Sequence, residues 1–395
     1  MKKVLIVSDS LKTGGLEKTL IDLCDNLDYN KFQVDLYLFA EGRDLLKNLN
    51  DHVNLLQESP YFSDVYNKPV LESLTILLKK CKVQLAFYRI IRFMKARLKN
   101  KSFSIFDWYF QKKTMLKIED EYDVAIGFAE GSACYYVAEC VKAKRKCVWV
   151  HTDIREIVSN KKLDMMAFLL ADCVCTVSNN SANALKELYP EIQEKVQIFT
   201  LPALFDYNNI NQLASMPCEI EKGYINILSV GRLVELKGFH LCPKALRNLL
   251  DEGYSVKWYI VGEGPYRDIL ENLIEQYKLQ KQFILLGNQD NPYKYIKNAD
   301  ICVQPSSYEG LSLVLYEEKF FEKPVVCTDI PSNMEMIENG ENGLIIERNS
   351  ESIYEAIKIL VDNKEFRTML GNAPSKNYVS KETIIKKIED AILGF

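Results

Sequence analysis

The sequence predicts an α/β protein made of two doubly wound parallel-sheet domains facing across a cleft. Three observations lead there. Short β-branched apolar runs alternate with longer stretches of helical spacing along most of the 395 residues. The runs are apolar throughout rather than alternating, as strands covered by helices on both faces must be. The rhythm breaks once, near 203–222, and then starts again.

The elements follow in order. KVLIVS (3–8) is the first strand, with a helical stretch from Leu16 to Leu27 behind it. VDLYLFA (34–40), DVAIGFA (123–129), CVWVH (147–151) and CVCTVS (173–178) continue the first series. The Asn-rich, Pro-containing stretch around 203–222 is read as a linker. YINILSVG (224–231), VKWYIVG (256–262), FILLG (283–287), ICVQP (301–305), PVVCT (324–328) and GLIIE (343–347) form the second series. The expected organisation is an N-terminal domain (1–205) with an insertion at 79–117, a linker (206–222), a C-terminal domain (223–375) and a last helix (376–395). In such sheets ligands bind beyond the carboxyl ends of the strands.

Composition narrows the classes. Lys and Arg number 50 against 54 Asp and Glu, a formal charge of −4, which speaks against a basic nucleic-acid binder. The 11 Cys are odd in number and scattered, and only His52, His151 and His240 are available as imidazoles. Neither a disulfide framework nor a structural zinc site is expected, and a reducing compartment fits. The apolar run of the N-terminus is too short for a signal-peptide core, and no apolar run reaches the length of a membrane span. A cytoplasmic location follows, with the membrane surface still open to the protein.

Four constellations carry candidate chemistry. In the segment ICVQP–SSYEG–LSLVLYEEKFFE, Glu309 lies in a loop and Glu317 eight positions later. Eight helical residues rise about 12 Å, beyond the roughly 5 to 9.5 Å of glycosidase carboxylate pairs. The two acids therefore suit different parts of one long ligand, or are a loop acid and an exposed helix acid. The helix start after Gly310 offers N–H groups and a positive dipole end for a phosphate. GRLVELKG (231–238) leaves a strand with Arg232 and Lys237, a fork and a compact charge that together suit a diphosphate. The plain alternative is two surface cations near a turn. TGGLEKT (13–19) and VGEGPYRDIL (261–270) are glycine turns before helices, and neither matches a P-loop or dinucleotide fingerprint. Gly14 and Gly15 allow positive φ and close approach of backbone to a ligand, and a tight strand-to-helix turn is the plain alternative. In VHTD (150–153), His151 ends a strand, where a neutral imidazole could bond a sugar hydroxyl or serve the structure alone. Asp153 either orients it or caps the next helix. Cys134, Cys173 and Cys175 read as core residues.

Taken together and in this order, these segments resemble the retaining glycosyltransferases of family 4, with the GT-B fold. The similarity is clearest from Tyr224 to Glu347, through GRLVELKG, the VGEGP turn containing Gly262, NADICVQPSSYEG and the E-x7-E spacing, and TGGLEKT looks like the family's first glycine loop. The resemblance implies that Arg232 and Lys237 hold the donor diphosphate. It likewise places Glu317 on the ribose hydroxyls, Glu309 beside the donor sugar, and the N–H groups of Gly310, Leu311 and Ser312 on sugar and phosphate. Gly15 would approach the phosphates and His151 would face the donor sugar. Where many members have Gly-Phe-Gly after the first Glu, this chain has Gly-Leu-Ser. The implied reaction transfers a hexose or N-acetylhexosamine from a nucleotide sugar, a UDP sugar foremost, with retained configuration. The leaving phosphate takes the acceptor's proton, and neither a metal nor a cofactor is needed. The competing readings are a sugar-nucleotide epimerase of the same fold and a non-catalytic sugar-nucleotide-binding partner subunit.

One composition shift stands apart. From Lys79 to Lys117 there are 12 basic residues and one acid, Asp107, interleaved with aromatic residues. Arg89, Arg92, Lys95 and Lys99 follow helical spacing there. The expectation is a stripe that lies on an anionic membrane at the inner face of the cell membrane, beside a lipid-linked oligosaccharide acceptor of surface polysaccharide synthesis. A solvated basic helix pair, or an insertion packed on the domain, is the alternative. The final helix is expected to return to the first domain through Ile384, Ile385, Ile388 and Ile392.

Overall fold

A computed structural model describes the chain except residues 13, 98–102, 157–159, 202–203, 205–206, 310, 377–380 and 395. It divides into two compact units, Met1–Leu204 with Lys381–Phe395, and Phe205–Ser380.

The first unit is built on seven strands: β1 (Lys2–Ser8), β2 (Phe32–Leu38), β3 (Val53–Leu55), β4 (Glu121–Gly127), β5 (Lys142–Val150), β6 (Cys173–Thr176) and β7 (Gln197–Thr200). All pairings are parallel, in the order β3-β2-β1-β4-β5-β6-β7. The second unit has β8 (Ile225–Val230), β9 (Val256–Val261), β10 (Phe283–Leu285), β11 (Ile301–Gln304), β12 (Val325–Thr328) and β13 (Leu344–Ile346). Their order, β10-β9-β8-β11-β12-β13, repeats the first. In both sheets the direction of winding reverses beside the first strand, between β1 and β4 and between β8 and β11. Helices cover both faces, so every residue of β6, β9, β11 and β12 is buried, and continuous apolar runs are what such strands require.

Two strands escaped the sequence reading. β3 is three residues long and β7 is half-buried, so neither makes an apolar run of usable length. The expected linker contains a helix, Tyr207–Ala214, which packs on helix Tyr293–Asn298 of the second unit. Its Asn-rich composition hid a short amphipathic turn, with Ile210 and Ala214 buried. The last helix, Lys381–Leu393, lies on β5 of the first unit. Ile384 and Ile388 are buried and Ile385 partly so, while the side chain of Ile392 lies outside the described residues. Arg145 on β5 donates from Nε to the Ala391 carbonyl at 3.0 Å, fastening the helix end. All 11 cysteines are free thiols, and Cys134, Cys173 and Cys175 are buried as expected.

The insertion forms helices Val83–Arg97 and Ile105–Gln111, which share with the preceding helix Val70–Lys79 a small core that includes Leu77, Leu85, Tyr88 and Phe110. Here the predicted basic stripe faces the wrong way. Arg89 is buried and donates to the Lys68 carbonyl at 2.9 Å. Arg92 stacks over Tyr66, and Lys95 pairs with Asp107 at 2.8 Å. Lys99 lies outside the described residues. The long alkyl stems of these cations line the inner side of the helix while their heads find acceptors, a use that charge spacing alone does not disclose.

Candidate functional site

In a doubly wound sheet the loops beyond the carboxyl ends of the strands flanking the switch point part company and leave a crevice. In the second unit those loops follow β8 and β11, and they carry the residues singled out above. Gly231 leaves β8, Arg232 and Leu233 follow, and Glu235–Lys237 form one 3-10 turn. Gly238 ends that turn at φ +70°, and a Cβ there would lie 2.0 Å from the Pro305 carbonyl oxygen. Only glycine lets this turn lie so close to the end of β11. The contact is fastened by Ser307, whose backbone N–H donates to the Leu236 carbonyl at 2.7 Å. Below it, Ser229 on β8 donates from Oγ to the Val303 carbonyl of β11 at 2.6 Å.

This stitching brings Lys237 to Glu309, 72 residues away in sequence. The Lys237 ammonium donates to Glu309 Oε1 at 2.5 Å, and Ser306 Oγ donates to the same oxygen at 2.8 Å. Both partners are largely buried. Arg232 lies at the exposed edge of the same turn, and its guanidinium has no partner among the described residues. One loop thus carries a paired cation and one without a partner among the described residues. The VGEGP turn after β9 completes the floor. At Gly262 (φ +150°) a Cβ would fall 1.9 Å from the Gly231 carbonyl oxygen, and the Leu233 N–H donates to the Glu263 carbonyl at 2.9 Å.

The helix after β11 runs from Leu313 to Phe320, with Ser312 at its N-cap. The backbone N–H groups of Leu311 and Ser312 have no acceptor among the described residues and are available to an anion. Gly310, the third expected donor of this set, lies outside the described residues. Glu317 is not the exposed helix acid of the alternative reading. It is buried, and Tyr293 Oη donates to its Oε1 at 3.1 Å.

Sequence reasoning passed over two neighbours. Glu318 is fully buried, accepts from Gln304 Nε2 at 2.7 Å, and leaves Oε2 without a partner. Burial pushes its carboxyl up to about 8, which favours the protonated form at neutral pH. Lys319 is buried too, and burial pushes its ammonium down to about 8. It stays charged at neutral pH, donating to the carbonyls of Asn342, Leu370 and Gly371 at 2.8, 2.6 and 3.2 Å. The available signal was EEK, three consecutive charges inside an otherwise apolar helix, which forces at least one of them inward.

The remaining expected residues belong to the first unit. Gly15 opens helix Gly15–Asn26, directly after β1. Gly14 before it is extended at φ −170°, and neither glycine takes a positive φ. His151 follows β5, and its ring stacks on Trp149 and tilts against Phe128. Burial pushes its pKa down to about 3, so the ring is a neutral imidazole across the physiological range. One ring nitrogen bonds to the Phe128 backbone, and Nε2 is buried without a partner. Its backbone N–H donates to Glu130 at 3.0 Å, and Thr152 Oγ1 donates to the same carboxylate at 2.8 Å. Asp153 bonds Arg155 and Asn180 and caps the short turn Ile154–Glu156. Among the described residues no group of three or more His, Cys, Asp or Glu is placed to hold a metal ion, and no helix is long and apolar enough to cross a membrane.

Two parallel-sheet Rossmann-like units of this order define the GT-B class. An Anabaena protein, Alr3699/HepE, solved in complex with UDP, superposes with a TM-score of 0.70 at 19% identity over 100% of both chains. TarM superposes with a TM-score of 0.67 at 15% identity over 99% of each chain. Residues 217–376 match the family described as glycosyl transferases group 1. A Campylobacter jejuni relative is 31% identical over 215 residues, 54% of this chain and 57% of its own. It is an N-acetylgalactosamine-N,N'-diacetylbacillosaminyl-diphospho-undecaprenol 4-alpha-N-acetylgalactosaminyltransferase. A Staphylococcus aureus poly(ribitol-phosphate) alpha-N-acetylglucosaminyltransferase is 28% identical over 196 residues, 48% of this chain and 39% of its own. The matched stretches span about half the length of the curated relatives.

Proposed function

We propose that this protein is a glycosyltransferase of surface polysaccharide biosynthesis. It moves a hexose or N-acetylhexosamine from a UDP sugar to a lipid-linked oligosaccharide, with retention of configuration and without a metal. The observation that carries the proposal is the Lys237–Glu309 pair at the switch point, with Arg232 on the same loop and without a partner among the described residues. The names of the relatives support the pathway. The C. jejuni relative acts on a diphospho-undecaprenol acceptor, and UDP is bound in the Anabaena neighbour.

The chemistry follows from charge. As the bond from the anomeric carbon to the phosphate oxygen breaks, the diphosphate gains negative charge, and preorganised cations stabilise that state more than the ground state. Arg232 is free to take the diphosphate at once. Lys237 would exchange its bond to Glu309 for one to phosphate, leaving Glu309 to accept from a donor-sugar hydroxyl. The free N–H groups of Leu311 and Ser312 add to the anion site, and Glu317, held by Tyr293, suits the ribose hydroxyls. The acceptor oxygen bonds to the anomeric carbon on the face the phosphate leaves, and its proton passes to the leaving phosphate oxygen. The lipid-linked acceptor places the protein on the inner face of the cell membrane.

The test is a melting-temperature screen of UDP, GDP and ADP sugars on the wild type and on Glu317→Ala. A rise with one UDP sugar that is lost in the variant is expected, because a ligand that binds only the folded state stabilises it. No rise with any nucleotide sugar, from folded protein, would overturn the reading.

A further inference from the structure

The helical insertion carries a surface that its basic stripe does not explain. Of the nineteen large apolar side chains exposed among the described residues, nine lie between Leu71 and Tyr109, about a tenth of the chain. They are not scattered. On helix Val83–Arg97 the inward residues are Leu85, Tyr88, Arg89 and Arg92. The outward ones are Val83, Phe87, Ile90 and Met94, at 62, 59, 41 and 51% exposure. Their spacing of four, three and four keeps them on a single helix face. Helix Ile105–Gln111 lies antiparallel beside it. Lys95 meets Asp107 near one end, and Lys113 Nζ donates to Gln84 Oε1 at 2.9 Å near the other. It extends the same surface with Ile105, Phe106 and Tyr109, at 52, 42 and 48% exposure.

The edge of this surface is cationic. Lys79, Lys82, Arg97 and Lys113 are exposed around it, and no carboxylate is paired with any of them among the described residues. The one acid of the block, Asp107, is buried and taken up by Lys95. Lys82 and Lys113 also line a cavity of about 910 Å³, in which Lys112 is paired with Glu139. A second copy of this chain is a poor cover, because a two-fold contact would set these lysines against their own copies. An apolar centre with aromatic residues and a lysine rim matches the boundary between acyl chains and anionic headgroups.

We propose that the face formed by Val83, Phe87, Ile90 and Met94 with Ile105, Phe106 and Tyr109 docks on an anionic bilayer. The apolar side chains enter the acyl boundary, and Lys79, Lys82, Arg97 and Lys113 lie among the headgroups. The choice of a bilayer over a protein partner rests on the lipid-linked acceptor proposed above. The docking residues are therefore the outward side of the helix, and Arg89, Arg92 and Lys95 hold its inward side in place.

The test is co-sedimentation of the full chain with vesicles of phosphatidylglycerol and phosphatidylcholine, and with phosphatidylcholine alone. Wild type is expected to bind the anionic vesicles, less so at high salt. The double variant Phe87→Glu/Met94→Glu should bind about tenfold more weakly or worse, and Lys82→Glu/Lys113→Glu should lose the salt-sensitive part. Both pairs are exposed, and an unchanged melting-temperature rise with the UDP sugar would report an intact fold. Wild type that ignores anionic vesicles, or a Phe87/Met94 variant that binds as wild type does, would overturn the proposal. So would a dimeric wild type made monomeric by that variant. Vesicle binding without any nucleotide-sugar binding would sink the transferase reading and leave this one standing.

Discussion

Glu318→Gln is the sharpest single perturbation this fold offers. The carboxyl has no exposure to water, one oxygen accepts from Gln304, and the other has no partner. Burial raises it from 4.5 to about 8. The folded chain therefore keeps a proton that the unfolded chain releases between those pH values. Its contribution to stability is complete below pH 4.5 and is lost as pH rises toward 8. At about 1.4 kcal/mol per pH unit, the change between pH 5 and pH 8 has a ceiling of about 4 kcal/mol. Relaxation of the site and entry of water would reduce it. Lys319 does not interfere in this window, because its lowered ammonium, at about 8, acts between there and its ordinary value of 10.5. Glutamine keeps the shape and removes the proton. The assay is urea unfolding of both proteins at pH 5, 6, 7 and 8. Wild type is expected to lose stability relative to Glu318→Gln as pH rises, by more than about 1 kcal/mol over the series. Curves that move in parallel would mean that Glu318 is ionised in the fold and that burial does not hold its proton.

Two further outcomes follow from the switch-point geometry. Lys237→Ala should lower kcat/KM for UDP release with acceptor by about 10²- to 10³-fold, the usual loss for one preorganised group on a developing anion, and a loss under about tenfold would remove Lys237 from the diphosphate. Gly238→Ala puts a Cβ 2.0 Å from the Pro305 oxygen at a left-handed φ. It should cost at least about 1 to 3 kcal/mol in urea unfolding and abolish the UDP-sugar melting shift, and a variant that unfolds as wild type would show that the two loops are not locked together.

The rhythm of strands and helices was legible in the sequence because burial on both faces demands continuous apolar runs. Eleven runs were read as strands, and all eleven are strands in the fold. β3 and β7 were invisible because three or four residues with partial burial carry no periodic signal. The chemistry-bearing residues were legible as residue types at strand ends, since the topology sends every strand end to the same edge. Lys237, Glu309 and Arg232 stood out in this way. That Lys237 and Glu309 form an ion pair was not legible, because it depends on Gly238 and Ser307 drawing two loops together across 72 residues.

The sequence alone thus determined the fold class, the two sheets and the residue types at their carboxyl edges, since these follow from periodicity and spacing along the chain. Tertiary structure decided which side of each helix found cover. Arg89, Arg92 and Lys95 share a face by spacing, but whether it meets water, lipid or protein depends on what packs against it. Here Lys68, Tyr66 and Asp107 accept the three cations, and the apolar side is left outside. Glu317 and Glu318 are adjacent in sequence and chemically alike. One meets a tyrosine hydroxyl and the other a glutamine amide deep in the core, where burial raises its carboxyl, and that difference in surroundings is not written in the spacing.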